Sequence, residues 1–176
     1  MAWEGILASV IMLSGPVGAG KTTVARELVP LLAGPVFYIE GDTFWKFLAK
    51  PHSSDIRETF RIIMRSMTAA ASPLARSGYD VVLDFSIPPD FLKTARVILK
   101  ENPLDYVVLL PKREVCESRA ASRKEGKIAD YSDYRDFYTL FESADRHAIR
   151  NDELAPIAVA KQIVEGLQSG KFRVET

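Results

Sequence analysis

Gly15-Pro16-Val17-Gly18-Ala19-Gly20-Lys21-Thr22 has the P-loop spacing: a glycine, four residues, then Gly-Lys-Ser/Thr. The chemistry of that octapeptide is the holding of phosphate. Its glycines admit backbone conformations closed to other residues, so successive N–H groups can turn inward around phosphate oxygens. Lys21 adds a point charge for β- and γ-phosphates, Thr22 offers a hydroxyl to Mg2+, and the helix that follows presents its positive N-terminus. Gly15 through Thr23 are therefore the candidate nucleotide-binding residues. A Gly-rich turn with an incidental lysine is the bland alternative, and the context argues against it: strand before, helix after.

Further along the chain, acids and arginines fall where such a loop would need them. Tyr38-Ile39-Glu40-Gly41-Asp42 closes the second apolar run. Asp42 is placed at the C-terminal end of a strand next to the P-loop strand, where ligands collect in such sheets. A carboxylate there can orient an acceptor hydroxyl or take its proton, although an aspartate can equally cap a helix starting near Thr43. Asp84, at the end of Val81-Val82-Leu83-Asp84-Phe85, fits the acid of a Walker B strand holding Mg2+ through water, or a plain strand-end turn residue before Ser86 and Pro88-Pro89. Ser86 is either a substrate contact or a turn serine. Lys112 to Tyr131 forms a polar segment in which Arg119 and Arg123, four apart, share a helical face, followed by Lys124 and Lys127. With few large apolar anchors, it is expected to behave as a mobile lid over residues 112–131.

The elements that must position these residues alternate. Val10 to Leu13, Val36 to Ile39, Val81 to Leu83 and Val107 to Leu110 are short Val- and Ile-rich runs suited to strands buried on both faces. Between them, Val24, Leu28, Leu31 and Leu32, then Ile56, Phe60, Ile63, Met64 and Met67, then Phe91, Ala95 and Ile98 have helical spacing. Two more amphipathic helices follow, one with Tyr134, Phe137, Tyr138 and Phe141, the other with Ala160, Ile163, Val164 and Leu167, and a weak fifth strand falls near His147 to Arg150. Strand and helix in alternation predict a three-layer α/β/α domain with a parallel sheet of about five strands, running as one domain over residues 1–176.

No Asn-Lys-x-Asp tetrapeptide is present, which excludes a guanine-reading GTPase, and the lone acid ending Val81–Asp84 argues against a motor or AAA-type ATPase. What is left at this length is a small kinase. With the P-loop, the Gly41-Asp42 pair after the second strand and the arginines after the fourth, the chain resembles small-molecule kinases of the P-loop superfamily: gluconate, shikimate and adenylylsulfate kinases and chloramphenicol phosphotransferase. Glu40 stands where shikimate kinases have the first acid of Asp-x-Asp. The resemblance implies an ATP- and Mg2+-dependent transfer of the γ-phosphoryl group to a small hydroxylated acceptor, with Lys21, Asp42 and Arg123 catalytic, Arg119 against the nucleotide, Thr22 and Asp84 at the metal, and an adenine-contacting loop at Asn151 to Pro156. That last stretch has a bland reading too, as a capped helix start.

Composition narrows the classes further. The 176 residues are 47% hydrophobic and 26% charged, ordinary for a globular domain. With 23 Lys plus Arg against 23 Asp plus Glu, the net charge is zero, which argues against a nucleic-acid or anionic-membrane partner. A single cysteine, Cys116, fits a reducing compartment, so a cytoplasmic location is expected. Ile6 to Leu13 is too short to cross a bilayer and is expected to be core. His52 and His147 are expected at the surface, and Arg57 and Arg61 on an exposed helix face. Phe44, Trp45 and Phe47 are expected in the core or as the wall of an acceptor pocket. A kinase of nucleotides or polynucleotide ends, a non-catalytic ATP-binding regulatory module and the kinase part of a toxin system share the same motifs and remain alternatives.

Overall fold

The computed structural model describes residues 8–50, 52 and 55–175. Ile6 and Leu7 of the first apolar stretch lie outside them. The strands are β1 (Val10–Ser14), β2 (Val36–Glu40), β3 (Asp80–Asp84), β4 (Leu104–Leu109) and β5 (Ala148–Ile149), and the α-helices are α1 (Lys21–Leu28), α2 (Asp42–Trp45), α3 (Ile56–Arg76), α4 (Leu92–Leu99), α5 (Arg113–Ala121), α6 (Arg135–Thr139) and α7 (Pro156–Gln168). All strand pairs are parallel, in the order β2-β3-β1-β4-β5. The expected three-layer α/β fold with five parallel strands is what the chain adopts.

Alternation along the strands divides the core in two. Val10, Met12, Val81, Leu83, Tyr106 and Val108 face α3 and α4, meeting Met64, Met67 and Ala95. Ile11, Leu13, Val82, Val107 and Leu109 face α1 and α7, meeting Ala25, Leu28, Val159 and Ile163.

Two expectations about the strands need correction. β2 is not beside the P-loop strand, because β3 lies between them. The connection through α1 carries the chain one strand further out, and the wholly apolar Val81–Leu83 fills the vacated slot. Nor is β2 buried on both faces: it is the sheet edge, with Phe37 40% and Tyr38 37% exposed. The edge suits its composition, since Tyr38 and Glu40 would be costly in the centre.

Local differences have similar causes. α6 is only a turn and a half, with its aromatic residues continued by 3-10 turns on either side, yet Tyr138 and Phe141 still reach the core. α5 ends at Ala121, so Arg123 lies beyond the helix that carries Arg119. His147 is half-buried and not a surface residue: its Nδ1 lies 3.0 Å from the Tyr106 carbonyl, and burial lowers its pKa. Asp152 does not cap α7, which starts at Pro156 without a side-chain cap; its carboxylate accepts from the Lys112 N–H at 2.7 Å. No helix among the described residues is long and apolar enough to cross a membrane.

Candidate active site

β1, β2 and β3 end on one side of the sheet, and their following residues wall a cavity of about 600 Å³. The loop after β1 forms one wall, with Val17, Gly18, Gly20, Lys21, Thr22 and Thr23 at its surface. Gly15, Gly18 and Gly20 have φ of 139°, 85° and 93°, the region that favours glycine. Close packing adds a second requirement. A Cβ on Gly15 would come within 2.2 Å of the Leu109 carbonyl oxygen, and one on Gly18 within 2.2 Å of that of Cys116.

Gly15, Pro16 and Ala19 lie behind this surface and brace it. Lys21 Nζ donates to the Gly15 and Pro16 carbonyls, each at 3.1 Å. The Ala19 carbonyl accepts from Asn151 Nδ2 at 2.9 Å and from Arg119 at 3.4 Å, and the Val17 carbonyl from the Tyr131 hydroxyl at 2.6 Å. Burial pushes the Lys21 pKa below the ordinary lysine value; Asp84, then Asp42, pull it back, and Arg123 adds to the lowering. Four of the predicted site residues thus share one electrostatic neighbourhood.

The opposite wall comes from the ends of β2 and β3. Glu40 and Asp84 are register partners, and the Gly41 N–H donates to the Asp84 carbonyl at 2.8 Å. Gly41 is small for a packing reason: a Cβ there would lie 2.3 Å from the Phe85 ring. Asp42 is the exposed first residue of α2 and makes no side-chain hydrogen bond to any described residue, so it does not cap that helix. Asp84 is only 3% exposed, and its Oδ2 accepts from the Tyr38 hydroxyl at 2.8 Å. Burial, then the Asp84 charge, raises the Tyr38 pKa, so the phenol is the donor. Ser86 lines the cavity as well, and its loop is fixed where Ser14 Oγ donates to the Ile87 carbonyl at 2.7 Å and accepts from the Ile87 N–H at 2.8 Å.

The segment after β4 closes the third side. Arg119 and Arg123 both line the cavity but are held differently. Arg119 Nη2 donates to the Asn151 and Asp152 carbonyls at 3.0 and 2.9 Å, joining the P-loop to the loop before α7. Arg123 is exposed, with no hydrogen bond or ion pair among the described residues, as are Lys124 and Lys127. Cys116 lies beneath Gly18, its thiol pKa pushed up to about 11 by burial. Arg57 and Arg61 are exposed on α3, and His52 is exposed. Phe44 and Trp45 pack against the core, while Phe47, 71% exposed, lines a separate apolar cavity of about 420 Å³ between α2 and α3.

Tyr38, Asn151 and Tyr131 were missed as supports of the site. Tyr38 alone had a local signal, because it lies two residues before Glu40 on the same strand face.

A family model described as AAA domain matches residues 10–136. The chain belongs to that family. The lone acid ending Val81–Asp84 therefore does not exclude this AAA domain family, whose match takes in the P-loop, Asp42, Asp84 and both arginines. The resemblance to small-molecule P-loop kinases also holds among curated relatives: the chain is 27% identical over 183 residues to shikimate kinase 1 of Sodalis glossinidius (strain morsitans), covering 90% of this chain and 96% of the relative. Two solved structures share the fold. The Deinococcus radiodurans tunicamycin resistance protein has a TM-score of 0.71 at 20% identity, covering 96% of this chain and 99% of that one. The Mycobacterium tuberculosis APS kinase CysC, in complex with AMPPNP and APS, has a TM-score of 0.66 at 15% identity, covering 93% and 99%.

Proposed function

We propose that this AAA domain protein is a phosphotransferase that moves the γ-phosphoryl group of ATP to a hydroxyl of a small molecule. The observation carrying the reading is the shared cavity: a P-loop with Lys21 and Thr22 faces the free carboxylate of Asp42, the buried carboxylate of Asp84 and the unpaired Arg123. The P-loop amides and Lys21 take the phosphates. Arg123 lies where transferring charge develops, and Asp42 orients the acceptor hydroxyl or holds its proton. Arg119 takes the nucleotide side, from a position already tied to the P-loop and the loop at Asn151 to Pro156.

The donor set fits Mg2+ bound with a nucleotide. The Thr22 hydroxyl makes no hydrogen bond to the described residues, Asp84 has one carboxylate oxygen beyond the Tyr38 bond, and no group of three or more His, Cys, Asp or Glu among the described residues could hold a metal alone. A hard cation that shares its shell with phosphates and water needs few protein ligands. When bound, Mg2+ would neutralise phosphate charge next to Thr22 and Asp84.

Residues 112–131 supply the lid of this reading. Their base is anchored by Cys116, Ala120 and Tyr131, and their tip, 122–127, is exposed. Closing that tip over the cavity brings Arg123 inward and excludes water, which keeps phosphoryl transfer from becoming ATP hydrolysis. Sharing the names of its relatives as a guide to acceptor class, the reading covers small hydroxylated metabolites and hydroxyl-bearing antibiotics. Purified protein incubated with γ-labelled ATP, Mg2+ and pools of such compounds tests it: label appears in an acceptor, or the reading fails.

A further inference from the structure

We propose that Tyr38 is a positioning residue for Asp84: its hydroxyl engages one carboxylate oxygen and thereby sets the other for a metal–nucleotide pair in the cavity. The inference rests on the function proposed above and deepens it. In the parallel register Glu40 stands opposite Asp84, and the period of two returns Tyr38 to the same face two residues earlier. The side chain is long enough to span that diagonal, and its hydroxyl donates to Asp84 Oδ2 at 2.8 Å.

Asp84 needs such a partner. Its side chain is almost wholly buried and forms no ion pair within 4.0 Å among the described residues, so the phenol is its one side-chain donor among them. Deprived of it, the carboxylate would be free to rotate or to turn toward Lys21, whose charge it influences more than any other acid does. Tyr38 has little else to do. Its ring is 37% exposed on the sheet edge and belongs to neither core cluster, so losing the hydroxyl alone leaves the packing of the domain intact. Groups that orient a ligating carboxylate are typically worth ten- to a hundredfold in metal affinity.

The test compares wild type, Tyr38→Phe, Asp84→Asn and the double variant by calorimetric titration with a nonhydrolysable ATP analogue, with and without Mg2+. This reads binding and requires no turnover. The expected result is that Mg2+ tightens nucleotide binding by wild type, that Tyr38→Phe loses about tenfold of that gain, and that its metal-free affinity stays at the wild-type value while its thermal midpoint falls, because the buried Asp84 carboxylate has lost its donor. The double variant should bind like Asp84→Asn alone, since the phenol acts through the carboxylate. Full retention of the Mg2+ gain in Tyr38→Phe overturns the proposal. So does an equal loss without metal, which marks a merely structural role, and so does the absence of any Mg2+ gain in wild type. If wild type shows the gain but labels no acceptor, the kinase reading falls while the assignment of Tyr38 is still decided by these titrations.

Discussion

The two walls of the cavity are built to different standards. On the P-loop wall, Val17 is held by Tyr131, Ala19 by Asn151 and Arg119, and Gly15 and Gly18 rest against the backbones of Leu109 and Cys116. On the wall that begins at Asp42, α2 is four residues long and the Asp42 side chain makes no hydrogen bond to the described residues. For the phosphotransferase proposed above, the difference separates a rigid side of the site from an adaptable one. In that reading the braced P-loop is the preorganised phosphate cradle, whereas the lightly held side at Asp42, proposed for the acceptor, can change without disturbing the cradle.

Breaking the preorganised wall should have the largest effect. Lys21→Ala is expected to lower phosphoryl transfer by about 10³-fold, while the loss of its bonds to the Gly15 and Pro16 carbonyls costs only about 1 kcal/mol of stability. Steady-state kinetics beside thermal melts would show this, and near-normal turnover would refute the assignment. On the other wall, Asp42→Asn should slow transfer about 10²-fold and leave both nucleotide affinity and melting unchanged, because the carboxylate supports no contact of the fold. Equal loss of nucleotide binding would move Asp42 to the metal side.

The arginines sharpen the same contrast. Arg119→Ala removes bonds to three backbone carbonyls and should cost about 2 kcal/mol of stability together with weaker nucleotide binding. Arg123→Ala should cost less than about 0.5 kcal/mol and lower turnover about 10²-fold. Hydrogen exchange over residues 122–127, with and without a nonhydrolysable ATP analogue and Mg2+, should show protection gained on binding. High protection before binding would rule out a lid.

Cys116 gives the smallest effect. Its thiol is raised from 9.0 to about 11, so the native state keeps a proton that the unfolded chain gives up. That contribution is complete below pH 9.0 and is lost as the pH rises toward about 11. Denaturant titrations should therefore show Cys116→Ala losing less stability than wild type as the pH is raised from 9 to 10.

How much could be read in the chain follows the same division. The P-loop is contiguous and its chemistry is carried by backbone and two side chains, so Gly15 to Thr22 declared the fold and the loop of the proposed phosphate site. Four apolar runs declared four strands, and a weaker signal near His147 to Arg150 marked the fifth, which spans only Ala148–Ile149. Their order was not legible, because nothing in Val36–Glu40 states which neighbour it will pair with, and the placement of Asp42 beside the P-loop strand was wrong for that reason. The bracing residues were hidden too: Asn151 and Tyr131 reach the P-loop across more than a hundred positions of sequence, and no local pattern marks a residue whose partner is a distant carbonyl.

The central place of β1 also bears on how the protein is made. Val10 pairs with Val81 on one side and Leu104 on the other, so a strand that is apolar from Val10 to Leu13 is translated long before either neighbour exists. Until β3 has left the ribosome, Val10–Leu13 has no strand to pair with, and until β4 follows, its other edge stays exposed to wrong partners, including copies of itself. A nascent chain paused before residue 104 should be a good chaperone client and prone to aggregate. One paused well past 110 should begin to resist protease, with β1 trapped between β3 and β4 as the first stable layer of the domain.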